Sequence, residues 1–239
     1  MFTDTTMTSS FVSHLAAACA KPINEPVFLE GYREVLKGVA TAGTFSVHGL
    51  TLAAPAGVYS PHETSSTRFF MDHFFGAGLT EPNGRSFLEL GCGAGGISLL
   101  AARQGWTVHA GDIDPQAVNA TEVNATENGL SVEVKVSDLF SAFAGETFDV
   151  IAFNQPFFHL DRAIGVEERT LSDFGGQLYE RFMRDARAHL KPGGHVLVSY
   201  SNCSNTTIMN QPGWNMELRA FDFDAGSDYI RALFKATPV

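Results

Sequence analysis

The 239-residue chain carries 16 Lys+Arg against 26 Asp+Glu, a formal net charge of −10, and 44% of its residues are hydrophobic. That composition is globular rather than disordered, and the length suits one large α/β domain, or one domain with a small appendage. Nucleic acids are held largely by Lys and Arg on phosphates, so an acidic chain without a basic run favours a small-molecule partner and no nucleic acid.

Cys19, Cys92 and Cys203 are scattered, with no CxxC pair. This is the usage of a reduced, cytoplasmic protein with neither a disulfide frame nor a zinc site. The opening "MFTDTTMTSSFVSHLAAACAKP" lacks a basic n-region and does not read as a signal peptide. No run approaches the ~18 apolar residues of a membrane span, so no membrane partner is expected. Nothing in the sequence speaks to the oligomeric state.

In chain order, residues 9–20 and about 25–40 show helical spacing of apolar residues. "TFSVHGLTLAA" alternates on both sides of His48-Gly49 and predicts a hairpin. "AGVYSPHETSSTRFFMDHFF" runs from a Gly/Pro loop into a helix, with caps offered by the Ser/Thr cluster at 64–67. Phe69, Phe70, Phe74 and Phe75 are expected in the core, and His62 and Glu63 lack the second pair that a metal site needs. From Ser86 onward strands and helices alternate: "RSFLELG", "AGGISLLAARQG", "TVHAGDI", a helix opening at Asp114-Pro115, "VEVKVSD", "TFDVIAF", "GGQLYERFMRDARAHL" ended by "KPGG", and "HVLVSYS". "WNMELRAFDF" and "YIRALFKAT" read as two closing strands.

This pattern predicts an α/β fold, a Rossmann-like doubly wound sheet of seven strands, mostly parallel, with a small N-terminal helical and hairpin cap. Residues 1–80 are expected to form the cap and residues 81–239 the ligand-binding domain. In such sheets ligands sit beyond the carboxyl ends of the strands. There, Gly91, Gly93 and Gly95 of "LELGCGAGG" follow a strand and open a helix, where missing Cβ atoms permit a sharp turn and close ligand approach. Asp112 ends the next strand, where a carboxylate can accept from two ribose hydroxyls. Asp138 follows the third, in reach of an exocyclic adenine amine.

These segments, "LELGCGAGG…AGDIDP…VSDLF…FNQPF", resemble class I methyltransferases that use S-adenosylmethionine (AdoMet), over roughly residues 45 to 200. The likeness is to the subgroup whose fourth strand ends in NPP(Y/F). That subgroup includes ribosomal-RNA guanine-N2 and release-factor glutamine methyltransferases. The resemblance implies AdoMet as co-substrate, with no metal, held by Glu89, Gly91, Gly93, Gly95, Asp112, Ile113, Asp138 and Leu139, with Tyr59, Ser66 and Asn154 towards its methionine end.

It also implies roles for "NQPF". The Asn154 side-chain oxygen and the Gln155 carbonyl would accept the hydrogens of a planar target nitrogen. Pro156 would fix the backbone, and Phe157 would stack on the substrate. Gln155 stands where the subgroup has proline, which brings a polar side chain towards the pocket. His159, Arg162, Arg169 and Tyr179 are further candidate substrate contacts.

Two catalytic expectations follow. One is methylation of a nitrogen in a small metabolite or amino-acid-like group. The other is cyclisation of AdoMet itself, as in the azetidine-2-carboxylate synthases that resemble this fold, in which its own amine attacks and methylthioadenosine leaves. A non-catalytic AdoMet-binding subunit is a third possibility, one that leaves the retained Asn-x-Pro-Phe segment without a purpose.

Overall fold

The computed structural model describes residues 13, 25–63, 65–74, 82–160, 170–174, 176–204, 211–224, 226 and 229–239; the side chains of residues 25–31, 159, 160 and 174 lie outside that description. The helix expected at 9–20, the Phe75 core position and the Arg162 and Arg169 contacts fall outside it as well.

The chain opens with α1 (Glu25–Val39), then the hairpin β1 (Gly43–Val47) and β2 (Leu50–Ala54), and α2 (Ser66–His73). His48 and Gly49 both take positive φ, 47° and 71°, which is the two-residue turn that matches strand twist. Ser65 caps α2, its hydroxyl accepting from the Arg68 N–H at 3.0 Å. Phe69, Phe70 and Phe74 are buried as expected.

The core follows as β3 (Ser86–Leu90), α3 (Gly96–Arg103), β4 (Thr107–Asp112), α4 (Pro115–Glu127), β5 (Glu133–Val136) and β6 (Phe148–Phe153). A short parallel pair, β7 (Phe158–Leu160) and β8 (Ser172–Phe174), precedes α5 (Gln177–Ala186), β9 (Leu190–Ser201), β10 (Trp214–Asp224) and β11 (Tyr229–Pro238). The main sheet has seven strands in the order β10-β11-β9-β6-β3-β4-β5. β9, β6, β3, β4 and β5 run parallel, and β11 is antiparallel to both of its neighbours, β9 and β10.

Two details differ from expectation. β9 begins at Leu190, so "KPGG" lies within the strand rather than ending a helix. The reason is pairing: Leu190 sits opposite Phe148, and a register shift before Val150 absorbs the glycines. The β7–β8 pair was not foreseen, because three-residue strands carry too little periodicity to read.

One apolar cluster, including Phe143, Phe148, Phe153, Phe182 and Phe234, fills one face of the sheet, and a second, with Phe70, Phe87, Ile97 and Leu100, fills the other. Each fully buried Phe or Leu contributes about 1.5–3 kcal/mol.

β2 is held in an unusual way. Asn124 of α4 accepts from Ala53 N–H and donates to Ala53 C=O, both at 2.9 Å, and Asn128 does the same to Thr51 at 3.0 and 2.8 Å. Two side-chain amides thus stand in for a neighbouring strand and dock the hairpin on the core.

Candidate active site

Strand register brings the site together. Leu90 of β3 lies opposite Gly111 of β4 and Phe153 of β6, and Asp112 opposite Val136 of β5. The residues that follow, Gly91, Asp112, Ser137-Asp138 and Asn154, therefore emerge level at one end of the sheet.

Gly91, Gly93 and Gly95 all adopt positive φ. At Gly93 a Cβ would come within 3.2 Å of the Tyr59 carbonyl, and at Gly95 within 2.9 Å of Leu99 and Thr121. Only glycine lets this loop turn while packed so closely. The loop is stapled from behind: Thr121 Oγ1 donates to Gly93 C=O at 3.0 Å, and Asn124 Nδ2 to Ala94 C=O at 2.8 Å. Sequence reasoning passed over Thr121, Asn124 and Asn128. Their i, i+3, i+7 spacing, a polar stripe on the buried face of a helix, was the available signal.

Glu89 is 2% exposed and accepts from the Ser98 N–H at 2.7 Å and from the Ser98 hydroxyl. Burial pushes its carboxyl up to about 8 despite these bonds. Asp112 accepts from the Gly93 N–H and the Asp114 N–H, each at 3.0 Å, and burial raises its carboxyl too. Each oxygen retains a second lone pair for a ligand. Beside it Ile113 is 58% exposed, a large apolar side chain facing water next to a half-buried carboxylate. That combination suits a nucleoside, which needs hydroxyl acceptors and an apolar face. Asp138 instead meets Arg181 Nη2 at 2.8 Å in a solvent-exposed ion pair. Leu139, with φ of 50°, is buried in the turn that follows.

Asn154 is tightly held. Its Nδ2 donates to Ser66 Oγ at 3.1 Å and Thr67 Oγ1 at 3.0 Å, and its Oδ1 accepts from Ser199 Oγ at 2.7 Å. Tyr59 reaches the same place, its hydroxyl 3.3 Å from Ser66 Oγ, and burial raises its phenol. A primary amide has two donors and two acceptor lone pairs. Both donors and one lone pair are used, leaving one lone pair on Oδ1.

Three expectations are corrected. The Gln155 side chain does not enter the pocket: it is 3% exposed and donates to the Ser199 carbonyl at 2.9 Å. The polar-pocket argument for cyclisation therefore falls away. Tyr179 is 1% exposed inside α5, and is packing rather than a substrate contact. Phe157 is 8% exposed, with its carbonyl accepting from Ser204 Oγ at 3.1 Å, so its ring is largely enclosed. Pro156 is half-buried between them. Thr67 and Ser199 were missed: lone hydroxyls far apart in sequence carry no motif.

Among the described residues no group of three or more His, Cys, Asp or Glu is placed to hold a metal, and no helix is long and apolar enough to cross a membrane.

A glycine loop between strand and helix, a carboxylate ending the next strand and an Asn-x-Pro turn at the sheet's carboxyl end define a class I AdoMet-dependent methyltransferase. The chain belongs to the methyltransferase small domain family, whose profile matches residues 49–219. The ribosomal RNA small subunit methyltransferase C of Chromohalobacter salexigens is 33% identical over 154 residues, covering 64% of this chain and 43% of the relative. The putative protein N5-glutamine methyltransferase of Methanocaldococcus jannaschii is 30% identical over 162 residues, covering 65% of this chain and 78% of the relative. Among solved structures, the Thermus thermophilus 16S rRNA N2 G1207 methyltransferase in complex with AdoMet and guanosine matches with TM-score 0.61 at 22% identity, over 83% of this chain and 50% of that one. The chain thus spans under half the length of the Chromohalobacter relative.

These relatives are named for RNA and for protein glutamine, which overturns the expected small-molecule acceptor and the exclusion of nucleic acid. Net charge is a sum over the whole molecule, whereas recognition depends on where charges lie.

Proposed function

We propose that the protein moves the methyl group of AdoMet to a planar, conjugated nitrogen on a macromolecule, with the exocyclic amine of guanine in RNA as the leading acceptor. The observation that carries this reading is the single free lone pair of Asn154, on an amide whose other three hydrogen-bonding positions are filled. Such an oxygen accepts an N–H and cannot take the proton. A conjugated amine is neutral at pH 7, so it needs orientation more than deprotonation.

AdoMet, when bound, supplies an electrophilic methyl group on a sulfonium. Asp112 and the glycine loop hold its nucleoside end, and Ile113 covers a base face. Asn154 and the Gln155 carbonyl hold the two N–H bonds of the acceptor so that the nitrogen lone pair faces the methyl group. Residues 1–80 act as a cap on the domain of 81–239, and the reaction takes place in the cytoplasm.

A second acceptor, a glutamine side chain of a protein, has its own support. Arg68, Arg181 and Arg231 are each matched by a carboxylate, Asp72, Asp138 and Asp222, which leaves less free positive charge for phosphates.

The test is incubation with methyl-tritiated AdoMet and, separately, unmodified 16S rRNA transcript or a glutamine-containing peptide. The leading reading predicts N2-methylguanosine on digestion. Label in glutamine selects the second acceptor, and label in neither contradicts both.

A further inference from the structure

We propose that Ser199 is a positioning residue for this transfer, one that clasps both members of the Asn154-Gln155 pair; the inference rests on the reading of Asn154 above. Ser199 is 1% exposed on β9, beside β6. Its hydroxyl donates to Asn154 Oδ1 at 2.7 Å, while its carbonyl accepts from Gln155 Nε2 at 2.9 Å. The β6–β9 ladder ends with Phe153 opposite Val198, so Ser199 is the next residue along. The Gln155 side chain supplies the bond that the strand no longer makes.

This has a chemical consequence. Ser199 occupies one Oδ1 lone pair, and Ser66 and Thr67 occupy both amide hydrogens, so the remaining lone pair has a fixed direction. Without the Ser199 hydroxyl the amide keeps its donors but loses the contact that fixes its oxygen. The Gln155–Ser199 bond also ties the backbone of the turn to β9, doing by a buried hydrogen bond what a proline ring does by covalent constraint. Ser199 touches neither acceptor nor co-substrate in this scheme and acts only through Asn154 and the Gln155 carbonyl.

The experiment is a double-mutant cycle of Ser199→Ala and Asn154→Ala, with Ser199→Thr as the conservative variant. Turnover is read on whichever of the rRNA transcript and the glutamine peptide the unsubstituted protein methylates; AdoMet affinity is read by calorimetry. Ser199→Ala is expected to lower kcat about 10- to 100-fold, with AdoMet affinity within twofold. Ser199→Thr, which keeps the hydroxyl, recovers most of that loss. In the Asn154→Ala background, Ser199→Ala has no further effect. Equal losses in both backgrounds, or an unchanged kcat in Ser199→Ala, overturn the role of Ser199 while leaving that of Asn154 intact. If the unsubstituted protein methylates neither probe, or Asn154→Ala keeps full turnover, the reading of the site itself fails and the inference falls with it.

Discussion

The side-chain amide of Gln155 and the backbone carbonyl of Ser199 are joined by a buried hydrogen bond of 2.9 Å, just past the point where β6 and β9 stop pairing. Proline at position 155 would remove that donor. A buried carbonyl left without its partner costs ~1–3 kcal/mol. Gln155→Pro is therefore expected to lower unfolding free energy by that amount in urea titrations, and Gln155→Ala similarly. A Gln155→Ala protein as stable as the original would mean that the bond contributes nothing; full stability in Gln155→Pro alone would mean that the ring's constraint replaces it.

Asp112 joins the glycine loop to the turn after β4 and faces the proposed ribose position. Charge-assisted hydrogen bonds are worth ~1.5–3 kcal/mol each, so Asp112→Ala should weaken AdoMet binding at least tenfold. Some loss of thermal stability accompanies it, because the Gly93 and Asp114 N–H groups lose their acceptor. Asp112→Asn separates the two effects, retaining one acceptor oxygen while losing the charge. Calorimetry showing unchanged affinity in both variants would contradict the ribose assignment.

Glu89 gives a pH signature. Its carboxyl, raised from 4.5 to about 8 by burial, stays protonated in the folded protein where the unfolded chain is already ionised. Folding thus takes up a proton between pH 4.5 and about 8. The contribution is intact below pH 4.5 and is lost progressively as pH rises through that window. The slope is at most ~1.4 kcal/mol per pH unit. Glu89→Gln keeps an oxygen for Ser98 and cannot ionise, so its stability should fall less between pH 5 and 8. Parallel stability curves for the two proteins would show that Glu89 is ionised in the fold.

What could be read beforehand was local. The His48-Gly49 turn, the Asp114-Pro115 helix start and the glycine triplet each declare themselves within a few residues, because backbone sterics and capping act over that range. The alternation of elements then sufficed for the seven-stranded sheet. The direction of the Gln155 side chain did not, since its partner lies 44 residues away and is chosen by the β6–β9 register. The support of Asn154 by Ser66 and Thr67, 88 and 87 residues distant, was invisible for the same reason. The exclusion of nucleic acid rested on net charge, and it was the relatives named for RNA and for protein glutamine, not any surface feature, that overturned it.

Asn154 carries the central claim. Its amide oxygen is held with one lone pair free to receive an N–H, while the proposed nucleoside contacts lie on the other strands. The most direct test is turnover and AdoMet affinity of Asn154→Ala, measured together on the acceptor that the unsubstituted protein methylates. The expected result is a kcat lower by at least about a hundredfold with AdoMet affinity within a few-fold, since the proposed nucleoside contacts at Asp112 and the glycine loop are left in place. Turnover within a few-fold of the unsubstituted protein would contradict the account and reduce this strand end to a structural turn.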